Sequence, residues 1–478
     1  MGRMSTIVFW GAGKIGKHML ELWRQFGVRP DYFTDNSETS WGTCYYGIKV
    51  ISIEELKRME DVQILITCNQ IDSISAQASA YGISSQSILK GNTVNDMLDF
   101  WILHMPEKLR WDITHKERAD SKKESAFCVL FDVQQGFVLG GVEAWVLQMA
   151  EELSTQGTHV KFITSDRLGW VNKENDNRVI QLDHWEDLSE DVKFIKSLAE
   201  IRKNTPCNIV CNFPFYTYKA ACIAKILWPQ EVNLIAVVHN DEAVYYDQYI
   251  QMQEIIDHCL VTCDAMEARF IQGGMPKEKI GRIAWEIPCE DPLNRTYSKA
   301  GQPIHIGYAG RIVIIQKRMD LLIEIVKKLR EADIEFQLEL AGAGEYEEEM
   351  KKILSNFSSQ VHFKGCLARE QMAEFWKHQD IGINCSDFEG RCISKAESMA
   401  AGAVPVITDT SSAKDDVREG YHGFVVPMGD VEGMVEKICY LYHHREQLEI
   451  MGRRSHEFIR KENEENNVLH MWNKILKF

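Results

Sequence analysis

Phe388-Glu389-Gly390-Arg391-Cys392-Ile393-Ser394-Lys395-Ala396-Glu397, followed by Ser398-Met399-Ala400-Ala401-Gly402, is the stretch on which the reading of this chain turns. The apolar run Ile381 to Ile383 upstream reads as a strand, so Glu389 falls in the loop that leaves it and Glu397 on the helix that follows. Both carboxylates can then face one cleft, with Gly390 leaving backbone amides open. One carboxylate can accept two sugar hydroxyls while the other accepts the diol of a ribose. Two solvated glutamates are the ordinary alternative, but the Ala-Gly collar behind Glu397 argues for close packing there.

Upstream, Ile304 to Ala309 reads as a strand and Arg318 to Arg330 as a helix, with Leu322, Ile325, Val326 and Leu329 at helical spacing. The alternation continues through Phe336 to Leu340, Val361 to Phe363, Val404 to Ile407 and Phe424 to Val426. Strands alternating with helices predict a parallel sheet covered on both faces. Arg311 and Lys317 follow the first of these strands, at the carboxyl end where ligands bind in open α/β sheets. A fixed guanidinium fork and an ammonium point charge there suit a departing diphosphate.

An earlier unit begins with the strand Ala126 to Phe131, then Gly140-Gly141-Val142-Glu143, a helix Val142 to Gln156 closed by Gly157, and the strand Thr158 to Thr164. Glycine amides at the start of a helix can approach an anion, although a packing turn would use the same residues. The first 105 residues form a third, smaller βαβ unit: Thr6 to Trp10, Lys14 to Phe26, Tyr32 to Thr34, Val62 to Thr67. There Gly11, Gly13 and Gly16 make a GxGxxG after a strand, and Asp35 ends the next strand at the spacing of a ribose contact. This is a candidate second nucleotide site, for NAD or another nucleotide; a turn that lets a helix approach its sheet is the equal alternative. The nearby Tyr45 to Lys49 spacing sits in a turn-like segment, too early for a hydride-transfer dyad.

The chain of 478 residues is 45% hydrophobic and 26% charged, ordinary for a globular protein of about three domains. Fifty-four basic against seventy acidic residues, a formal charge of -16, argue against a surface that tracks nucleic acid. A local basic patch, to which Trp145 and Lys161 could contribute, stays compatible with that balance. Thirteen cysteines without paired CxxC spacing suggest reduced thiols, and no apolar run reaches the roughly 18 to 20 residues of a bilayer span. The expected division is 1–105, a charged linker 106–124, 125–292, 293–460, and a terminal helix 461–478 packing back on the 125–292 domain.

Residues from about 125 to 478 resemble the retaining glycosyltransferases of family 4. The resemblance rests on Gly140-Gly141-Val142-Glu143, Val238-His239, the Gly310-Arg311 to Lys317 segment, Gly342 to Gly344, and the Glu389 to Glu397 pair with its Met399-Ala400-Ala401-Gly402 tail. It implies a GT-B architecture: two Rossmann-like domains facing a cleft, here preceded by the third, small Rossmann-like domain. Residues 1 to about 100 resemble modules attached to bacterial sugar acyltransferases and some glycosyltransferases. By the first resemblance Arg311 and Lys317 grip the diphosphate of a UDP- or GDP-sugar, and Glu397 holds its ribose. Glu389, with the amides of Gly390, Arg391 and Cys392, holds the transferred sugar; Gly140 and Gly141 approach the phosphate from the opposite domain; His239 lies by the sugar near the acceptor.

The implied reaction passes a sugar to a hydroxyl of a glycan or lipid-linked acceptor in bacterial cell-surface polysaccharide synthesis, through an oxocarbenium-like state. It takes place in the cytoplasm or peripherally at the inner face of the membrane, and requires no cofactor; the chain has no Asp-x-Asp to hold a metal. Two departures stand out. Arg391 and Cys392 replace the family's aromatic or small residue and its Gly or Pro, which hints at a charged donor sugar, and Trp285 to Pro292 lacks the usual Asn-Gly-Val-Asp. Two other readings stay open: a nicotinamide-dependent epimerase or reductase in the first module, and a non-catalytic sugar-nucleotide scaffold.

Overall fold

The computed structural model describes residues 6–90 apart from 15, 18, 19, 21–28, 46, 69 and 85–87; 128–133; 140–164; 178–181; 197–465 apart from 199, 284 and 292; and 468–477. The linker read over 106–124, most of the helix read from Lys14 to Phe26, and the first residues of the strand read from Ala126 lie outside them.

Three sheets follow one another along the chain. The first has the order Cys44–Tyr45, Ile48–Ile51, Tyr32–Thr34, Thr6–Trp10, Val62–Ile66, Ile88–Lys90. It is parallel except where Cys44–Tyr45 and Ile48–Ile51 pair as an antiparallel hairpin. The segment from Tyr45 to Lys49 is therefore this hairpin and not a simple turn: Gly47, at φ 75°, reverses the chain, and Ile48, Val50 and Ile51 are buried.

The second sheet is parallel throughout, in the order Ile280–Arg282, His258–Val261, Val232–Val237, Cys207–Cys211, Cys128–Asp132, His159–Thr164, Val179–Gln181. The third is parallel too: Val361–Gly365, Phe336–Ala341, Ile304–Ala309, Ile381–Asn384, Val404–Thr408, Phe424–Val426. Their central strands are buried on both faces, which is why they read as apolar runs without alternation.

Helices form where burial recurs every three or four residues. In Met319–Glu331 the buried positions are Met319, Leu322, Ile323, Ile325, Val326 and Leu329, with Asp320 in the first turn and Lys328 and Arg330 in the last, each complementing the helix dipole. In Gly141–Thr155 they are Glu143, Trp145, Val146, Gln148, Met149, Ala150 and Leu153, and Gly157 at φ 81° ends the run.

The chain's last helices cross from the third sheet to the second. His456, on the long helix Glu446–Glu465, bonds the Ala400 carbonyl at 2.6 Å, and Asn463 bonds the Ile287 carbonyl at 2.7 Å. Helix Val468–Ile475 then drives Trp472 into the core against the second sheet, edge-on to Phe131 at 5.9 Å and beside Trp145 at 6.0 Å. Asn233 and Asn208 donate to the carbonyls of Ile475 and Lys477 at 2.8 Å each, fixing the chain's end to the second sheet.

Candidate functional site

The carboxyl ends of the second and third sheets meet at close range. A Cβ on Gly390 would stand 1.7 Å from the His239 carbonyl oxygen, and one on Gly141 would stand 2.8 Å from Ile393 Cδ1. Glycine is thus the residue that lets these two loops touch across the cleft. Asp415 ties the sheets further along: it accepts from the Asp264 amide at 2.9 Å and pairs with Arg282 at 3.1 Å, while Ser411 donates to Asp241.

On the third sheet's side, the loop leaving Ile304–Ala309 is bolted to the loop leaving Ile381–Asn384. Lys317 Nζ lies 2.5 Å from Glu389 Oε1, and the same oxygen accepts from Ser386 Oγ at 2.6 Å and Asn384 Nδ2 at 3.4 Å. Burial alone would push the Glu389 carboxyl up; the Lys317 charge and these donors outweigh it and hold the group below the usual carboxylate range. Burial likewise opposes the Lys317 ammonium, and Glu389 holds its pKa above the ordinary lysine value. Both groups are therefore charged, a buried ion pair at the end of a strand. Gln316, at φ 76°, links the loops: its side chain accepts from Arg311 at 2.5 Å and donates to the Phe388 carbonyl at 3.2 Å. Arg318 grips both oxygens of Asp387 at 3.0 Å. Arg311 leaves from this braced loop, its own carbonyl held by Tyr308 Oη at 2.7 Å.

Glu397 lies half-buried on helix Ile393–Ala400, and burial pushes its carboxyl up to about 7, against the Trp376 indole and Arg369. Cys392 caps that helix with extended backbone; its thiol is buried, receives Asn384 Nδ2 at 3.2 Å, and has its pKa pushed up by burial. The Arg391 side chain turns away to pair with Glu462 on the crossing helix and, at 4.0 Å, with Asp416, which also holds buried Lys395 at 2.7 Å. Its charge is used inside the protein, so the hint of a charged donor sugar loses its footing, while the Arg391 amide stays beside Gly390.

On the second sheet's side, His239 follows the strand Val232–Val237 and is buried against Trp145, ring centroids 5.1 Å apart. Burial pushes its pKa down to about 3, so the ring is neutral. Asn212 donates its Nδ2 to the Asp132 carbonyl at 2.7 Å, leaving Oδ1 to accept from His239 Nε2 at 2.8 Å. The network therefore assigns the proton to Nε2 and leaves Nδ1 with a lone pair. Gly140 and Gly141 begin the helix Gly141–Thr155 opposite Ile393, and Glu143 lies buried in its first turn. The residue pattern gave Glu143 no role; its signal is an acidic side chain that burial removes from water.

The first sheet's glycine turn is built differently. Asp35 accepts from the Ala12 amide at 2.7 Å and the Ser37 amide at 2.9 Å, so its carboxylate braces the turn. A Cβ on Gly16 would stand 1.8 Å from the Gly11 carbonyl, whereas one on Gly13 would meet nothing within 4 Å. Tyr45 and Lys49 lie on paired strands of the hairpin, and Lys49 is taken by Glu55 at 2.6 Å. Among the described residues no group of three His, Cys, Asp or Glu is placed to hold a metal ion, and no helix is long and apolar enough to cross a membrane.

Residues 303–444 match the family described as glycosyl transferases group 1. The sulfoquinovosyl transferase SQD2 of Arabidopsis thaliana is 30% identical over 158 residues, 32% of this chain and 29% of that protein's length. Among solved structures, Staphylococcus aureus TarM in complex with fondaparinux, α-GlcNAc-glycerol and UDP superposes with a TM-score of 0.59 at 12% identity, over 73% of this chain and 99% of that one. Anabaena HepE in complex with UDP-glucose does so with a TM-score of 0.59 at 16% identity, over 73% and 98%. The second and third sheets form a GT-B fold, with the match to the group 1 family lying over the third and a small extra sheet ahead of both.

Proposed function

We propose that this chain is a retaining glycosyltransferase that moves a sugar from a UDP-linked donor to a hydroxyl of a glycan or lipid-linked acceptor of the cell surface. The single observation that carries the reading is the buried Lys317–Glu389 pair on two interlocked strand-end loops, with Arg311 leaving one loop and Glu397 the helix that follows the other. A site that holds two cations rigidly where a bond to phosphate breaks needs little reorganisation when charge develops there. In this reading Arg311 and Lys317 stabilise the departing diphosphate and Glu397 accepts the ribose diol. Glu389, already ionised, orients Lys317 and accepts a sugar hydroxyl beside the amides of Gly390 to Cys392. His239 offers the Nδ1 lone pair to another hydroxyl. Uridine as the base is favoured by the UDP and UDP-glucose bound to TarM and HepE, whose fold this chain shares. Thirteen free cysteines, most of them buried, suit a reducing compartment.

The test is a panel of UDP- and GDP-sugars offered to the full chain, read by thermal shift and by nucleoside-diphosphate release. One UDP-sugar is expected to raise the melting temperature and be turned over, with both effects lost in Lys317→Ala. Stabilisation by a nicotinamide dinucleotide and by no sugar nucleotide would overturn the reading.

A further inference from the structure

Arg391 stands in the deciding stretch as a charge that the donor site leaves unused. Its backbone amide lies between those of Gly390 and Cys392, assigned above to the transferred sugar, while its side chain is only 6% exposed and enters a set of buried charges. The guanidinium pairs with Glu462 and lies 4.0 Å from Asp416, which in turn holds Lys395 at 2.7 Å. Lys395 also donates to the Ser412 carbonyl at 3.1 Å and to its hydroxyl at 3.2 Å. Burial would push the Asp416 carboxyl up; the Lys395 and Arg391 charges outweigh it and hold the group below the usual carboxylate range. Apolar side chains of similar volume would fill such a space at no loss of stability. What charges add is direction, because a guanidinium fork held by carboxylates fixes where its own backbone lies.

Each of the two carboxylates has a chain neighbour that is fastened toward the second sheet. Next to Glu462 on the crossing helix Glu446–Glu465, Asn463 accepts from the Ile287 amide at 3.1 Å and donates to its carbonyl at 2.7 Å. The carbonyl of Glu286, one residue before, accepts from Gln148 of helix Gly141–Thr155 at 3.2 Å. Next to Asp416 on the short helix Ala413–Asp416, Asp415 accepts from the Asp264 amide and pairs with Arg282. Arg391 therefore joins the loop after Ile381–Asn384 to both of the elements that tie the two sheets. The loop itself is held at its other end by Glu389 on Lys317, and at Gly390 it runs so close to the His239 carbonyl that a Cβ would collide. Its amides are thus pinned from both sides.

Resting on the proposed transferase activity, we propose that Arg391 is a positioning residue: through Glu462 and Asp416 it sets the amides of Gly390 to Cys392 in register with the second sheet's side of the cleft, so that the sugar they hold faces the attacking hydroxyl. Donor and acceptor are held by different sheets, and transfer needs the two reacting atoms about 3–3.5 Å apart and aligned; a misplacement of about 1 Å can cost about 10²-fold. Arg391 touches no substrate in this role. The nucleotide is assigned to Arg311, Lys317 and Glu397, so its binding does not depend on the pair.

The test is a double-mutant cycle on the full chain: Arg391→Met, Glu462→Met and the two together. Transfer is measured at saturating UDP-sugar and acceptor, UDP binding by titration calorimetry, and both at a temperature where far-ultraviolet circular dichroism shows every variant folded. Arg391→Met is expected to lose about 10- to 10²-fold in kcat and to keep its UDP Kd within about twofold. Glu462→Met should lose about fivefold or more, and the double variant should stay within about twofold of Arg391→Met, because one tie can be cut only once. A kcat within about threefold of wild type in Arg391→Met, or losses that multiply in the double variant, would overturn the proposal while wild-type turnover upholds the transferase reading. UDP affinity falling in step with kcat would overturn it as well, since that marks general damage to the site. If Arg391→Met does not fold, Glu462→Met decides alone, and a kcat within about twofold of wild type there overturns the proposal. Absence of turnover of every sugar nucleotide by the wild type overturns both.

Discussion

Two glycine-rich turns, Gly11–Gly16 and Gly140–Gly141, each follow the first strand of a sheet, which lies between parallel neighbours, and the structure completes them in opposite ways. The first is closed by its own sheet: Asp35 takes the Ala12 amide, and Thr67 Oγ1 donates to the Gly11 carbonyl at 2.9 Å. The second is closed by another sheet, with Ile393 against Gly141 and the Arg311 charge acting on Glu143. Glycine spacing reports how near a backbone can be approached. What sets the second turn apart is that the opposite sheet closes on it, through Ile393 against Gly141, whereas the first is held by its own sheet.

The contrast leads to four expectations, the largest effect first and the smallest last. Lys317→Ala should remove nucleoside-diphosphate release by about 10²- to 10³-fold. It should also cost about 3–5 kcal/mol in denaturant unfolding, because Glu389 is left buried and unpaired. The pair Lys317→Met with Glu389→Leu should recover most of that stability and none of the turnover.

Glu397→Gln should weaken UDP binding about tenfold, a loss of about 1.4 kcal/mol typical of a hydrogen bond to a charged group. In the wild type, titration calorimetry should show UDP binding strengthening as pH rises through about 7, where the Glu397 carboxyl ionises, and this dependence should flatten in the variant. Arg391→Met breaks the tie to Glu462 and should lower stability by about 1–3 kcal/mol, measured by denaturant titration, without changing the order of preference between neutral and acidic sugars. The smallest effect is expected at the first turn: Asp35→Ala should cost about 1 kcal/mol and leave turnover as it was. Loss of turnover there would erase the distinction between the two turns.

Much of the fold was legible because burial writes itself into spacing. The strand Ile304–Ala309 and the helix Gly141–Thr155 lie within one residue of where apolar runs and punctuating glycines put them. The order of the site's segments was legible too, since strand-end loops are where such sheets bind. Side-chain direction was not. Arg391 sits inside the deciding stretch, yet its partner Glu462 comes from a helix that only the finished fold brings alongside. Lys317 and Glu389 both read as groups for a ligand, and only tertiary placement shows that they first answer each other. Glu143 was hidden for the converse reason: an acidic residue opening a helix is commonplace, and nothing in the spacing says that this one folds back on its turn and is buried. The hairpin at Cys44–Ile51 escaped because a two-residue strand carries no period to detect.

The measurement that bears most directly on where the donor binds is the thermal shift of the full chain with a UDP-sugar, made side by side on wild type, Lys317→Ala and Asp35→Ala. Ligand that binds only folded protein raises the transition by mass action, so each shift reports the site that survives. The account predicts equal shifts in wild type and Asp35→Ala and none in Lys317→Ala. A shift that persists in Lys317→Ala and vanishes in Asp35→Ala would place the nucleotide on the first sheet and contradict it.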